Sequence, residues 1–319
     1  MNAFRGKILV IRGGAIGDFV LTLPAIAALR KNFPDAFLEV LGYPHIAQLA
    51  LAGGLVDRVE SIGARALASF FARNGELPEE LVDYFSEFDL IISYLYDPDQ
   101  IFSTNVSRCT QGQFITGPHR PKEGSTIHAA QLYLKPLERL AIFDADPVPR
   151  LRMSTDAGPA STLFRNPAGQ GNEHILALHP GSGGEHKNWP EAKWAELVEN
   201  LINETSFNLF LVGGEAEGER LQRLSAALPP SRVRVAQSRP LPELAQMLQQ
   251  CAAFIGHDSG ISHLAAAVGL PGLILWGETT EEIWRPPSDK MLLLRHPAGL
   301  ADLPVNHVLD KIALLPVST

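Results

Sequence analysis

The stretch KILVIRGGAIGDFVLTLPAIAALRKNF, residues 7–33, holds three signals in succession. Residues 8–11, ILVI, are a short apolar run of the kind buried on both faces of a parallel sheet. The glycines that follow let backbone approach a ligand closely. The remainder, GDFVLTLPAIAALRKNF, reads as a helix. Pro24 inside it lacks an amide hydrogen and crowds the preceding turn, which predicts a kink or a late helix start. Strand, glycine loop and helix open an α/β unit with a parallel sheet. The order returns at 174–203, where HILALHPGSGG is strand and loop and PEAKWAELVENLIN an amphipathic helix.

Working outward, further strands are expected at AFLEVLGY (36–43), within LAGGLVDRVESIG (51–63), at FDLIISYLYD (88–97) and at GQFITGP (112–118). In the second half, FNLFLVGGEAEGERLQRLSAAL (207–228) is strand, loop and helix, SRVRVAQ (231–237) a strand and LPELAQMLQQC (241–251) a helix. AAFIGHDSG (252–260) runs from a strand into a polar cluster, GLILWG (272–277) and MLLLRH (291–296) are strands, and VNHVLDKIALL (305–315) is a closing helix. The segment STDAGPASTLFRNPAGQGNEH (154–174) is rich in Gly, Pro, Ser, Thr and Asn and lacks periodicity, so a domain boundary is expected there, giving domains 1–165 and 166–319. Each half carries loops at the carboxyl ends of parallel strands, where ligands bind in such sheets. Two such domains facing each other would form a cleft.

Bulk properties narrow the classes. A chain of 319 residues with 45% hydrophobic and 19% charged residues fits two globular domains. A formal net charge of −8 disfavours general nucleic-acid binding. Two cysteines, Cys109 and Cys251, make neither a disulfide framework nor a zinc site and suit a reducing cytosol. The N-terminal run is broken by Arg12 and does not read as a signal peptide. The uncharged stretch 259–277 contains Ser, His, Pro and Gly and suits a buried helix–loop–strand better than a membrane span.

Three loops and one further carboxylate are candidates for chemistry. In IRGGAIGD (11–18), Arg12 stands where a dinucleotide fingerprint needs its first glycine, and no Walker lysine follows. Asp18 remains, either as a first-turn residue serving the helix dipole or as a functional carboxylate. In HPGSGGEHKNWP (179–190), Ser182, Gly183 and Gly184 suit a phosphate nest with Lys187 as a point charge, or a plain surface loop. In HDSGISH (257–263), the start of a helix near Ser262 offers amides to an anion, His263 a further donor, and Asp258 an acceptor for sugar hydroxyls; capping by Asp258 and Ser259 is the other reading. Glu215, after a strand and two glycines, suits ribose hydroxyls or solvent. No divalent-metal motif stands out, since DPD (97–99) reads as a turn.

Taken together, IRGGAIGDFVLTLPAIAALR, HPGSGGEHKNWP and HDSGISHLAAAVGLP resemble glycosyltransferase family 9, the ADP-heptose:lipopolysaccharide heptosyltransferases, in type, order and spacing. The resemblance implies a GT-B fold: two Rossmann-like domains facing an inter-domain cleft, acceptor in the first and donor in the second, with the last helix crossing back onto the first. It implies Asp18 as catalytic carboxylate. For the donor it implies Ser182, Gly183, Lys187, Glu215, Asp258, Ser259, Gly260, Ile261 and His263. The family often has threonine at the positions of Ser182, Gly183 and Ser259, which leaves room for another sugar or base. The activity expected is metal-independent, inverting transfer of a sugar, heptose from ADP-heptose, to a lipopolysaccharide-core or related glycan acceptor. Asp18 would take the acceptor proton, and Lys187 with the loop and helix amides would stabilise the leaving diphosphate. Partners are then a nucleotide-sugar donor and a glycan or lipid-linked acceptor, at the cytoplasmic face of the inner membrane. Acceptor candidates are RALASFFARNG (65–75) and GPHRPKEG (117–124), where basic residues mix with aromatic ones or sit in an ordinary loop. Competing readings are a GT-B enzyme using another nucleotide sugar, a 2-epimerase, and a non-catalytic nucleotide-sugar binder. A dinucleotide oxidoreductase with Glu39 ending its second strand is disfavoured by Arg12.

Overall fold

The computed structural model describes residues 4–63, 65–73, 75–154 and 174–316. Its chain forms two compact units, Met1–Pro149 and Arg150–Thr319. The expected boundary at residue 165 lies outside the described residues. Residues 150–154 go with the second unit, where the Leu151 amide donates to Ala267 O at 2.8 Å and the Met153 amide to Gln249 Oε1 at 3.0 Å.

In the first unit, β1 (Lys7–Arg12), β2 (Phe37–Gly42), β3 (Arg58–Ser61), β4 (Leu90–Ser93) and β5 (Gln113–Thr116) form a parallel sheet in the order β3-β2-β1-β4-β5. Its helices are α1 (Ile16–Asn32), α2 (Pro44–Ala52), α3 (Glu79–Ser86), α4 (Ile101–Ser107) and α5 (Ala129–Leu134). Helix α1 begins ahead of Pro24 and continues through it, so the start is not late. Leu9, Ile11, Leu41 and Ile91 of the strands pack with Phe70, Phe85, Phe88 and Phe102 into one core. The DPD segment is a turn whose Asp97 accepts from the amides of Phe102 and Ser103 at 3.1 and 2.9 Å, holding the start of α4. Glu39 is the third residue of β2 rather than its last, and Arg58 and Tyr84 take up its buried carboxylate.

In the second unit, β6 (Ile175–His179), β7 (Asn208–Gly213), β8 (Val233–Gln237), β9 (Ala253–His257), β10 (Gly272–Leu275) and β11 (Met291–Leu294) form a parallel sheet in the order β11-β10-β9-β6-β7-β8. Counted within the unit this is the 3-2-1-4-5-6 order of dinucleotide-type folds. The helices are α6 (Glu191–Glu204), α7 (Gly218–Ala226), α8 (Leu241–Leu248), α9 (Gly260–Ala267), α10 (Glu281–Trp284) and α11 (Val305–Ile312). Strands β6 and β9 are buried along their whole length, hence their continuous apolar runs. Val305, Val308 and Ile312 of α11 join Trp194, Leu197 and Leu201 of α6 in one core, so the last helix spends its apolar face inside the second unit. Among the described residues, no helix is long and apolar enough to cross a membrane.

Candidate functional site

In the second sheet the strand order reverses between β6 and β9, and the crevice beyond their carboxyl ends is where such folds bind ligands. Two chain segments leave strands there: residues 180–187 after β6, and Asp258 with Ser259 after β9. They are tied together by a histidine. The fully buried His257 accepts the Trp189 amide at Nε2 (2.8 Å), so its proton sits on Nδ1, which donates to Gly181 O at 3.1 Å. Burial is the largest cause that pulls its pKa down to about 4. His179, at the end of β6, lies 3.4 Å from Ser259 Oγ through Nδ1, and burial followed by the neighbouring His257 lowers its pKa to about 3. Both rings are thus neutral struts that charge poorly.

Arg220 braces the same loop from α7. Its guanidinium donates to Pro180 O at 3.0 Å and to Glu185 Oε1 at 2.8 Å. The Ser182 hydroxyl donates within the loop, to Gly184 O at 2.8 Å. Gly181 is needed because a Cβ there would sit 2.2 Å from Glu217 Cγ. That close approach lets Glu217 reach back to accept the Gly214 amide at 2.8 Å.

The loop delivers Lys187 to Asp258. Lys187 Nζ lies 2.9 Å from Asp258 Oδ2, with side chains 36% and 11% exposed. Beside them α9 begins at Gly260, two residues ahead of the expected start near Ser262, because Ser259 caps it by accepting the Ser262 amide at 3.4 Å. The amides of Gly260 and Ile261 then have no intrahelical acceptor, and the helix dipole favours an anion in front of them. His263 is buried in the first turn, 6% exposed. Glu215 stands one strand away, exposed in the turn after β7, and its carboxylate meets no partner among the described residues. A cation, helix-start amides and a hydroxyl-accepting carboxylate within one loop cluster can hold a diphosphate with an attached hydroxylated group.

In the first unit, Asp18 is both a helix-start residue and the partner of a buried cation. Its Oδ2 accepts the Ala15 amide at 3.2 Å, and Oδ1 lies 3.6 Å from Arg12 Nη2. Arg12 is 3% exposed. It donates to His119 O at 2.8 Å and to Asp18 O at 3.2 Å, and its guanidinium carbon lies 4.5 Å from the Tyr133 ring centre. Arg12 Nε is buried and finds no hydrogen-bond partner among the described residues. Of the other candidates nearby, Phe70 is core, whereas Phe71 is 46% exposed and stacks on Phe102 at 4.9 Å. Arg73 faces a cavity of about 410 Å3 together with Arg108 and Asp99. The His119 ring packs on Tyr96 at 4.6 Å. Among the described residues no group of three or more His, Cys, Asp or Glu is arranged to hold a metal ion.

Residues 144–304 match the sequence profile of glycosyltransferase family 9 (heptosyltransferase). A lipopolysaccharide heptosyltransferase 1 from Pseudomonas aeruginosa is 38% identical over 309 residues, covering 86% of this chain and 79% of that protein. The chain belongs to glycosyltransferase family 9. Solved structures agree on the fold: a family 9 glycosyltransferase from Veillonella parvula superimposes with a TM-score of 0.80 at 17% identity, over 98% of both chains. The Escherichia coli heptosyltransferase WaaC with ADP does so with a TM-score of 0.73 at 20% identity, over 97% of this chain and 99% of that one. The protein is therefore a GT-B glycosyltransferase of the heptosyltransferase family, with an α/β sheet in each unit.

For this family 9 enzyme, sequence reasoning passed over Arg12, His257 and Arg220 as site-building residues. Arg12 entered only as the residue that spoils a dinucleotide fingerprint. The available signal was a charged residue ending an apolar strand, which must be paired if buried. His257 carries the same signal, a polar residue ending the apolar β9, whereas Arg220 left none, since the carbonyl it holds is 40 residues away in the chain.

Proposed function

We propose that this enzyme transfers heptose from ADP-heptose to a lipopolysaccharide-core acceptor, with inversion and without a metal ion. The single observation that carries the reading is Lys187 held 2.9 Å from Asp258 in front of α9, at the switch point of the second sheet. A diphosphate there gains a point charge from Lys187 and amide donors from Gly260 and Ile261, which is the compensation a metal would otherwise supply. Asp258 accepts from the sugar and Glu215 from the ribose. In the reacting step the acceptor oxygen bonds to the anomeric carbon as the carbon–oxygen bond to the diphosphate breaks. The electron pair leaves with the diphosphate, and the acceptor proton passes to the Asp18 carboxylate. The Escherichia coli relative that carries ADP supports the base, and the relatives named for lipopolysaccharide support the acceptor class. Such an acceptor puts the enzyme at the cytoplasmic membrane face, as a peripheral protein.

The test is a transfer assay with ADP-heptose and heptose-deficient lipopolysaccharide core, run beside ADP titration calorimetry. Asp18→Asn is expected to lower kcat by about 10²–10⁴-fold, the range of general-base catalysis, while leaving ADP affinity unchanged. Full activity in Asp18→Asn removes the base assignment. A folded protein that ignores ADP and ADP-heptose but binds another nucleotide sugar replaces the donor.

A further inference from the structure

The geometry points to His257 as the positioning residue of the donor site: its buried imidazole clamps both ends of the loop that carries Lys187, and so sets how tightly the diphosphate is held. The inference rests on the donor-site reading above and adds the residue that holds that site in shape.

The chain between β6 and α6 has little structure of its own. Among the described residues it makes one short 3-10 turn, Glu185–Lys187, closed by the Lys187 amide on Gly184 O and the Asn188 amide on Glu185 O, both at 3.0 Å. Lys187 Nζ ends a flexible four-carbon stem. It meets Asp258 at 2.9 Å only while the backbone under it stays in place. His257 reaches that backbone at two points. Nδ1 donates to Gly181 O at 3.1 Å, at the start of the loop, and Nε2 accepts the Trp189 amide at 2.8 Å, at its end. The second point lies two residues from Lys187.

The clamp is itself anchored. His257 is the last residue of β9 and pairs with Leu275 of β10. Its carbonyl accepts from the Ser262 hydroxyl in the first turn of α9. Its ring meets the Trp194 ring of α6 edge-on, with centres 5.4 Å apart. The Trp189 indole is fixed separately, donating to Leu303 O at 3.0 Å. One residue therefore joins the strand that leads to Asp258, the start of α9 and both ends of the Lys187 loop. An apolar side chain of similar size would fill the space beside Trp194 without the cost of burying an imidazole, which is 0% exposed. What the imidazole adds is two hydrogen bonds, and both go to the loop. Holding a loop in its binding conformation before the ligand arrives lowers the ordering cost of binding. The ring thus acts on the donor through the placing of Lys187, not by touching the diphosphate.

The experiment is calorimetric titration of ADP into wild type, His257→Gln, His257→Asn and His257→Leu, each alone and combined with Lys187→Ala. Glutamine places an acceptor near the Nε2 position and asparagine a donor near Nδ1, so the pair separates the two ends of the clamp. Because the Trp189 end lies nearer Lys187, His257→Asn and His257→Leu are expected to weaken ADP about tenfold, and His257→Gln to stay within about threefold of wild type. On the Lys187→Ala background all three are expected to leave ADP affinity unchanged, which general damage to the fold would not do. In the transfer assay the donor KM is expected to rise with the Kd while the acceptor KM holds. Variants that all match wild type, or that weaken ADP equally with and without Lys187, overturn the positioning role while the donor site stands. Amide exchange on the wild type needs no variant: the Trp189 amide is expected to exchange slowly without ligand, and fast exchange there overturns the clamp. Wild type that ignores ADP removes the donor-site reading, and this inference with it, whatever Trp189 does.

Discussion

On the proposed function, Lys187 and Asp258 form a pair that an incoming diphosphate would share, and this gives a prediction with opposite signs at the two positions. At 2.9 Å, an effective dielectric of about 20 gives a gross attraction of about 6 kcal/mol. Solvent reaches 36% of the lysine side chain, so the pair retains roughly 1 kcal/mol net. Lys187→Ala removes a charged hydrogen bond to the diphosphate and leaves Asp258 facing it uncompensated. The expected loss of ADP affinity is about 2–3 kcal/mol, or ~30–150-fold in Kd. Asp258→Asn removes the competitor for the lysine and a charge that repels phosphate. ADP is then expected to bind more tightly by roughly 1 kcal/mol, about fivefold. In the double variant, Asp258→Asn recovers a similar amount. Calorimetry with ADP, which lacks the sugar, isolates this pair, and raising the salt concentration narrows every difference. If Asp258→Asn weakens ADP, the carboxylate contacts the nucleotide and the shared-lysine argument is wrong.

Two further outcomes follow from the buried groups. Arg12→Met deletes the guanidinium that aims Asp18; denaturant titration is expected to give a loss of about 1–3 kcal/mol, and kinetics a lower kcat with ADP affinity unchanged. An unchanged kcat refutes the positioning role. His179 and His257 have native pKa values of about 3 and 4, below the ordinary 6.5, so the unfolded chain binds more protons between those limits. Their contribution is therefore complete above about pH 6.5 and is lost as pH falls toward 4, at up to ~1.4 kcal/mol per pH unit for each ring. Denaturant titrations between pH 4.5 and 7 measure the slope, and His257→Asn is expected to flatten it by about half.

The sheets were legible because buried parallel strands are apolar throughout: ILALH at 175–179 and the ILVI core of β1 announce themselves without partners. The glycine loops that follow β1 and β6 were legible because glycines between strand and helix are a local signal. Helix α5 was not. It has six residues, and its cap is the His128 side chain accepting the Ala130 amide, a combination with no hydrophobic period to read. Glu215 and Glu217 are equivalent in local sequence, and their difference is tertiary: Glu217 folds onto Gly214 beside Gly181, whereas Glu215 faces solvent.

The two carboxylate–cation pairs divide labour through the burial of the cation. The Arg12 side chain is 2% exposed and held by carbonyls on separate segments, so it does not leave Asp18 when a ligand arrives. Its buried Nε lacks a partner among the described residues, which costs about 1–3 kcal/mol. Lys187, at 36% exposed on a flexible stem, exchanges one anion for another at little cost. A permanently bound cation suits a carboxylate that must keep one orientation through the reaction. A transferable cation suits a diphosphate that arrives as part of the donor and departs as product. On the proposed function, a cation beside a carboxylate would thus serve aiming in one unit and charge transfer in the other, and solvent access to the cation would decide which.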